Sequence, residues 1–501
     1  MSLLSRKALA KNSLINLAGF VLPLAVGLIT IPLIVSGFGV ERFGVLTLAW
    51  AVIGYFSLFD MGIGRAITQS MAERLGSASA HDVSRLAWTG LLMMLMFALI
   101  GALVVATLAP WFVSSVLNMP EALREETINA FMLLAAAIPA VVLSAGAAGI
   151  LAALQRFDLI NALRIPMGMM IFLVPLIILP YSKSMAYVCA GLLGIRVLFL
   201  VLHAAACFYA FPPLRAHIGI ARSEIRRLLS FGGWMTVTNV IGPLMMYMDR
   251  FVIGAVLTIS AVAYYVTPYE IVTRLLTVPA ALAAVLFPAF AAAKSSGSSH
   301  ATTLYSMGER AILGILAPIV LVLVVFAEEG LRLWLGEDFA QNSTAVLQWL
   351  AIGVFLNGYA QVPFTFIQGI GRADITAKLH LLELPIYIAL MFWLLNAHGI
   401  VGVAIAWLLR AAVDAALLTL LAHGLTKDMA AASRQIFPMF VAPLALFAAA
   451  MMLDEMASKL FFTGLAFLAL IIVGYYFAVL PEEKPAICRI MRRLIPLKHH
   501  I

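Results

Sequence analysis

The chain has 501 residues, 63% of them hydrophobic and 11% charged, with a formal net charge of +8. A mean hydropathy of +1.04 places it far outside soluble globular domains, and the low charge content excludes a soluble enzyme. The excess of positive charge invites a nucleic-acid reading, but its distribution, described below, assigns it to membrane topology and excludes nucleic acid as a partner.

Crossing about 30 Å of hydrocarbon takes about 20 apolar residues in helical form. Windows of that kind fall at 13–35, 43–63, 86–110, 128–151, 160–180, 185–211, 229–257, 261–290, 304–327, 344–367, 376–396, 399–422, 437–453 and 460–480. The expectation is an all-α polytopic membrane protein of about 14 transmembrane helices. Arg6, Lys7 and Lys11 precede the first window, which has no small-residue cleavage site and is read as a retained span rather than a signal peptide.

The loops after spans 2, 3, 6 and 9, at roughly 64–85, 111–127, 212–228 and 328–343, are the longest, and none holds a folded domain. No glycine-rich loop ending in Gly-Lys-Ser/Thr is present, so transport energy is expected from a gradient, the substrate or a partner. Cys189, Cys207 and Cys488 lack metal-ligand spacing, and no metal or cofactor site is expected.

An even span count puts both termini on one side. That side carries 23 Lys and Arg, the opposite side five, and four arginines lie within spans. By the positive-inside rule both termini are cytoplasmic. The expected organisation is an N-lobe at 1–211 with spans 1–6, a basic linker at 212–228, a C-lobe at 229–424 with spans 7–12, the helix pair at 425–480, and a basic cytoplasmic tail at 481–501. After span 4 the chain reads Gln155-Arg156-Phe157-Asp158-Leu159, and after span 10 it reads Gly371-Arg372-Ala373-Asp374-Ile375, an Arg-x-Asp shared at an offset of 216 residues. Arg196 in span 6 and Arg410 in span 12 repeat at 214. Two correspondences at nearly one offset indicate an internal repeat, hence two pseudo-symmetric six-helix lobes plus a C-terminal helix pair.

Eight ionisable residues sit within spans, where each costs about 2.5–3.5 kcal/mol and normally faces a bundle interior. They are Arg196, Asp249, Arg250, Glu270, Arg274, Glu383, Arg410 and Asp414. Arg196 and Arg410 sit near mid-span and suit a pyrophosphate or other anion, which guanidinium holds bidentately; pairing of Arg410 with Asp414, four residues on, is the alternative. Asp249, Arg250, Glu270 and Arg274 lie at matched depth on spans 7 and 8, as a gate and substrate contact or as a structural ion-pair network. Glu383, with His380 one turn before and Pro385 two after, and Asp414 are candidates for coupling to a proton or sodium gradient, Glu383 alternatively for accepting an interhelical hydrogen bond. In span 10, Asn357, Gln361 and Gln368 with Tyr359 either line a sugar path or join helices. Prolines Pro23, Pro32, Pro139, Pro166, Pro243, Pro279 and Pro363 mark kinks. The amphipathic stretches Arg222–Leu229 and Ile487–Lys498 suit an anionic membrane surface or docking of a partner.

Several motifs carry a resemblance: Lys11-Asn12-Ser13, Ile31-Pro32-Leu33, Gly39-Val40-Glu41-Arg42-Phe43-Gly44, Asp60-Met61-Gly62-Ile63-Gly64-Arg65, Met248-Asp249-Arg250-Phe251-Val252-Ile253-Gly254 and Gln368-Gly369-Ile370-Gly371-Arg372. Together they resemble the bacterial oligosaccharide flippases (Wzx-type) of the polysaccharide-transporter family, in the superfamily that also holds lipid II flippases and multidrug and toxin extrusion pumps. The resemblance implies two six-helix lobes that alternate between inward and outward openings. It implies movement of undecaprenyl-pyrophosphate-linked repeat units to the periplasmic leaflet for O-antigen, capsule or exopolysaccharide. Implied partners are the lipid-linked oligosaccharide, membrane lipids, and a polysaccharide polymerase with chain-length machinery, at the bacterial inner membrane. The alternatives are a cation-coupled multidrug exporter, which fits fourteen spans and mid-span arginines less well, and a membrane glycosyl polymerase or ligase, for which the outer loops are short.

Overall fold

The computed structural model describes residues 6–55, 62–75, 79–226, 247–296 and 298–477. Among them every regular element is helical, the only pattern that satisfies each backbone group within its own segment in lipid. The protein is a multi-pass membrane protein. It divides into two compact units, Met1–Ala263 and Tyr264–Ile501.

The first unit contains α1 (Arg6–Phe38), α2 (Val40–Tyr55), α3 (Ile63–Arg74), α4 (Ala80–Trp111), α5 (Glu121–Ala153), α6 (Phe157–Ile178), α7 (Met185–Ala210), the short α8 (Pro213–Ala216), α9 (247–256) and the start of α10 (Ile259–Thr273). Helices follow one another with minimal connections. Between α1 and α2 only Gly39 intervenes, at φ +82, where a side chain would be strained. Ser79 caps α4 by accepting from the Asp82 N–H at 3.2 Å. At the centre stands α5, packed against α2, α3, α4, α6 and α7.

In the second unit α10 ends in a 3₁₀ turn at Arg274–Leu276 and is followed by α11 (Thr277–Ser296), α12 (Ser298–Val325), α13 (Ala327–Leu335), α14 (Glu337–Gly369), α15 (Ala373–Leu425), α16 (Lys427–Ala450) and α17 (Met456–Phe477). Here the central helix is α14, packed against α11, α12, α13 and α15. Straight, the 53 residues of α15 would span about 80 Å. Instead the helix folds back at Gly399, whose φ 59 and ψ −142 belong to glycine's territory. The resulting limbs, 373–398 and 400–425, correspond to expected spans 11 and 12.

The described part of each expected span lies in a helix apart from a few terminal residues. Among the described residues nine helices, α15 taken as one of them, are long and apolar enough to cross a membrane. Two segments read from sequence as loops hold helices instead: α3 within 64–85, and α13 within 328–343. Both are too charged for an apolar window. In α3, Ile63, Ala66, Ile67, Ser70 and Met71 make a buried stripe at helical spacing, and α13 is tied down where Lys459 of α17, only 3% exposed, donates to Glu329 at 2.7 Å.

The repeat reaches atomic detail. Helices α5 and α14 are both 33 residues long and start 216 residues apart. Each ends in the same turn. Leu154 N–H donates to Ile150 C=O, Gln155 to Ala152 and Arg156 to Leu151; at the same offset Ile370 donates to Phe366, Gly371 to Gln368 and Arg372 to Ile367. Gln155 and Gly371 both take positive φ, 57 and 87. Arg156 then pairs with Asp158 at 2.9 Å and Arg372 with Asp374 at 3.0 Å.

Candidate functional site

Folding α15 back on itself decides which side chains meet. His380 and Glu383, from the first limb, face Asp414 from the second, and one ligand atom from each lies within 4.8 Å of the other two. His380 Nε2 stands 3.4 Å from Asp414 Oδ1, and its ring stacks on Phe364 of α14 with centroids 5.7 Å apart. Glu383 and Asp414 are each 5% exposed. Neither Glu383 oxygen has a hydrogen-bond partner of good geometry among the described residues. Two carboxylate charges at this separation repel by about 3.5 kcal/mol at an effective dielectric of about 20, so the site favours a bound proton or cation. One imidazole nitrogen and two carboxylates also make a donor set for a metal ion.

One turn further along the hairpin, the Arg410 guanidinium lies 5.7 Å above the ring of buried Tyr387. Among the described residues Arg410 makes no ion pair with Asp414, because Asp414 turns to His380 across the limbs. Glu383 lies within electrostatic range of His380, Arg410 and Asp414. The sequence kept Glu383 and Asp414 as separate candidates; the fold makes them one site with His380 and Arg410.

In the first unit, Arg196 sits on α7 half-buried, with the Met167 sulfur of α6 at 3.4 Å and no carboxylate partner among the described residues. Asp249 and Arg250 are 1% and 2% exposed. The Asp249 carboxylate accepts the Arg250 backbone N–H at 2.8 Å, and the Arg250 guanidinium lies 4.9 Å over Tyr247. The Tyr55 ring packs against those of Tyr247 and Phe251, with centroids 5.4 and 5.7 Å away. In the second unit, Glu270 accepts from Arg274 at 3.1 Å, one turn apart and partly exposed. Each unit thus holds one half of the four-residue group read from spans 7 and 8.

On α14, Gln368 donates to Thr376 at 3.3 Å and Tyr359 donates to Glu309 at 2.8 Å, so both are engaged in joining helices. Asn357 and Gln361, one turn apart and half-exposed, have no side-chain partner among the described residues. Asp60, Met61 and Pro243, the end of the Arg222–Leu229 stretch and the whole of Ile487–Lys498 lie outside the described residues.

The model of the family described as polysaccharide biosynthesis protein matches residues 38–343. A Shigella flexneri protein described as "Putative O-antigen transporter" is 30% identical over 412 residues, 82% of this chain and 97% of that protein. The chain belongs to the polysaccharide biosynthesis protein family. Its place in that family is among the Wzx-type polysaccharide transporters, as the motifs led one to expect, and these relatives are transporters rather than enzymes. Two solved structures share the fold: a lipid II flippase, MurJ, in an inward closed conformation (13% identity, TM-score 0.70, 93% of this chain and 98% of that one), and an inward-facing multidrug resistance transporter of the MATE family in the MOP superfamily (15% identity, TM-score 0.68, 84% and 96%).

One buried group in this polysaccharide transporter escaped the sequence reading. Glu309 on α12 is 0% exposed, and it accepts from Tyr359 of α14 and from Ser433 of α16 at 3.2 Å. The signal was present, since position 309 falls within the apolar window 304–327. Arg310 stands beside it on the same helix, since α12 begins at Ser298 and carries both.

Proposed function

We propose that the protein is a flippase that moves undecaprenyl-pyrophosphate-linked oligosaccharide repeat units from the cytoplasmic to the periplasmic leaflet by alternating access, for O-antigen, capsule or exopolysaccharide synthesis. The observation that carries this reading is the 30% identity across 97% of the Shigella flexneri relative. The chain works in the bacterial inner membrane with about 14 spans, both termini cytoplasmic, and two pseudo-symmetric six-helix lobes at 1–211 and 229–424. Its partners are the lipid-linked oligosaccharide and membrane lipids, with a polymerase and chain-length machinery downstream.

Arg196 supports the pyrophosphate role: a half-buried guanidinium whose hydrogen-bond partner among the described residues is a thioether has donors to offer an anionic headgroup. Arg410 supplies a second guanidinium, held over Tyr387, and Arg250 and Arg274 contribute further positive charge. Asn357 and Gln361 bind sugar hydroxyls. Asp249 and Glu270, each joined to its neighbouring arginine, act in gating. Glu383 and Asp414 carry the coupling proton or sodium ion, which their spacing favours. No bond is made or broken in the substrate.

The test is reconstitution in vesicles with a lipid-linked oligosaccharide and measurement of its appearance in the opposite leaflet. Transfer that requires the protein and responds to an imposed ion gradient supports the reading. Transfer at the rate of protein-free vesicles overturns it.

A further inference from the structure

A second titratable site lies within the second unit, apart from Glu383 and Asp414. His423 is three residues after Leu420 near the end of the second limb of α15 and is half-exposed, whereas Glu309 is fully buried on α12. Ser433 of α16 lies between them: its Oγ is 3.0 Å from His423 Nε2 and 3.2 and 3.3 Å from the two Glu309 oxygens. Tyr359 fills a further Glu309 lone pair at 2.8 Å. We propose that His423, Ser433 and Glu309 form a proton path from the end of α15 to a buried proton-binding carboxyl group on α12.

Hydrogen-bond accounting supports two complete states. With the proton on His423, the imidazolium N–H donates to the Ser433 oxygen and the Ser433 O–H donates to the Glu309 carboxylate. With the proton on Glu309, its O–H donates to the Ser433 oxygen and the Ser433 O–H donates to the neutral His423 nitrogen. Passage between them breaks one N–H bond, forms one O–H bond on Glu309 and exchanges the Ser433 proton, so atoms and charge balance. The two links, His423 Nε2 to Ser433 Oγ and Ser433 Oγ to Glu309, are each a complete donor–acceptor pair in either state. Glu309 is fully buried, whereas Ser433 and His423 are both half-buried, so the path has an accessible end and a buried one.

The surroundings suit this role. Tyr305 and Arg310 share α12 with Glu309, Tyr359 faces it from α14, His423 from α15 and Ser433 from α16. No ion pair joins Glu309 to a lysine or arginine among the described residues. On α11, α13 and α17, which also pack against α12, no described ionisable group faces Glu309. A carboxyl group fed only by hydroxyl donors is free to change protonation without breaking a salt bridge.

The experiment is infrared spectroscopy of the full chain in lipid nanodiscs after a pH jump. The protonated-carboxyl band is assigned to Glu309 by its loss in Glu309→Gln. In the wild type this band is expected to titrate, and Ser433→Ala is expected to slow its appearance by about tenfold or more, since a positioned relay group is worth at least that much. Ser433→Thr, which keeps the hydroxyl, is expected to restore the rate. His423→Gln supplies a second interruption if Ser433→Ala does not fold. A Glu309 band that never titrates, or equal rates in Ser433→Thr and the interrupted variant, overturns the proposal. Because Glu383 and Asp414 are untouched, the result stands apart from their assignment.

Discussion

His380 Nε2 lies 3.4 Å from Asp414 Oδ1 across the two limbs of α15. Thirty-four positions separate these residues in sequence, and the contact exists because Gly399 lets the helix reverse. It brings an imidazole to two buried carboxylates whose charges oppose one another. If this site couples transport to protons, Glu383→Gln removes one negative charge at nearly constant shape and flattens the dependence of transport on pH. Rates measured in vesicles over a pH series check this, and an unchanged profile removes Glu383 from the coupling scheme.

Arg196 and Arg410 differ in what holds them, a thioether in one case and an aromatic face in the other. Neither has a carboxylate ion-pair partner among the described residues, so loss of either guanidinium breaks no direct ion pair. Arg196→Ala and Arg410→Ala are each expected to abolish transport while membrane abundance stays near wild type. Arg196→Lys, which keeps charge but loses bidentate geometry, is expected to fall between. Activity and abundance assayed together decide it; abundance that collapses with activity assigns these residues to folding.

The repeated turn gives a stability test. A non-glycine residue in the left-handed region costs about 1–2 kcal/mol, and glycine costs about 0.5–1 kcal/mol in backbone entropy. Gln155 and Gly371 occupy equivalent places at φ 57 and φ 87. Gly371→Ala is therefore expected to destabilise by about 1 kcal/mol and Gln155→Gly to stabilise by about 0.5–1 kcal/mol. Melting of the purified protein in detergent reads both signs, and equal shifts in one direction contradict the equivalence.

Much of this architecture was legible in the sequence. The windows at 376–396 and 399–422 meet at 399, where the chain does reverse, because an apolar pattern records where a span must end. Arg156-x-Asp158 and Arg372-x-Asp374 were visible as a motif; that the same three backbone hydrogen bonds precede both required coordinates. The meeting of His380, Glu383 and Asp414 was hidden, since it depends on how two limbs register. Helices α3 and α13 were missed because a window tuned to apolar runs reads a charged amphipathic helix as loop. Glu309 lies inside the apolar window 304–327 but has no charged residue at helical spacing to mark it; its partners, Tyr359 and Ser433, come from other helices.

Lys459 and Glu329 offer a test outside the hydrocarbon. Burial alone would raise the Glu329 carboxyl, but the hydrogen bond and charge of Lys459 outweigh it and hold the group below its ordinary 4.5. A depressed carboxylate stabilises the fold above its ordinary range, and that contribution is lost as pH falls through the depressed value. Lys459→Met is expected to lower stability near neutrality by about 1.5–3 kcal/mol, the range for a hydrogen bond to a charged group. The acid-side loss of melting temperature should then become shallower than in the wild type, and an identical acid limb would contradict the pairing.

The central claim is tested most directly by deleting the gene in its host and identifying the lipid-linked sugars that accumulate in the inner membrane. The account predicts that a complete repeat unit on undecaprenyl pyrophosphate builds up in the cytoplasmic leaflet while the surface polysaccharide disappears. Unchanged lipid-linked pools, or a repeat unit that accumulates already exposed to the periplasm, would contradict it.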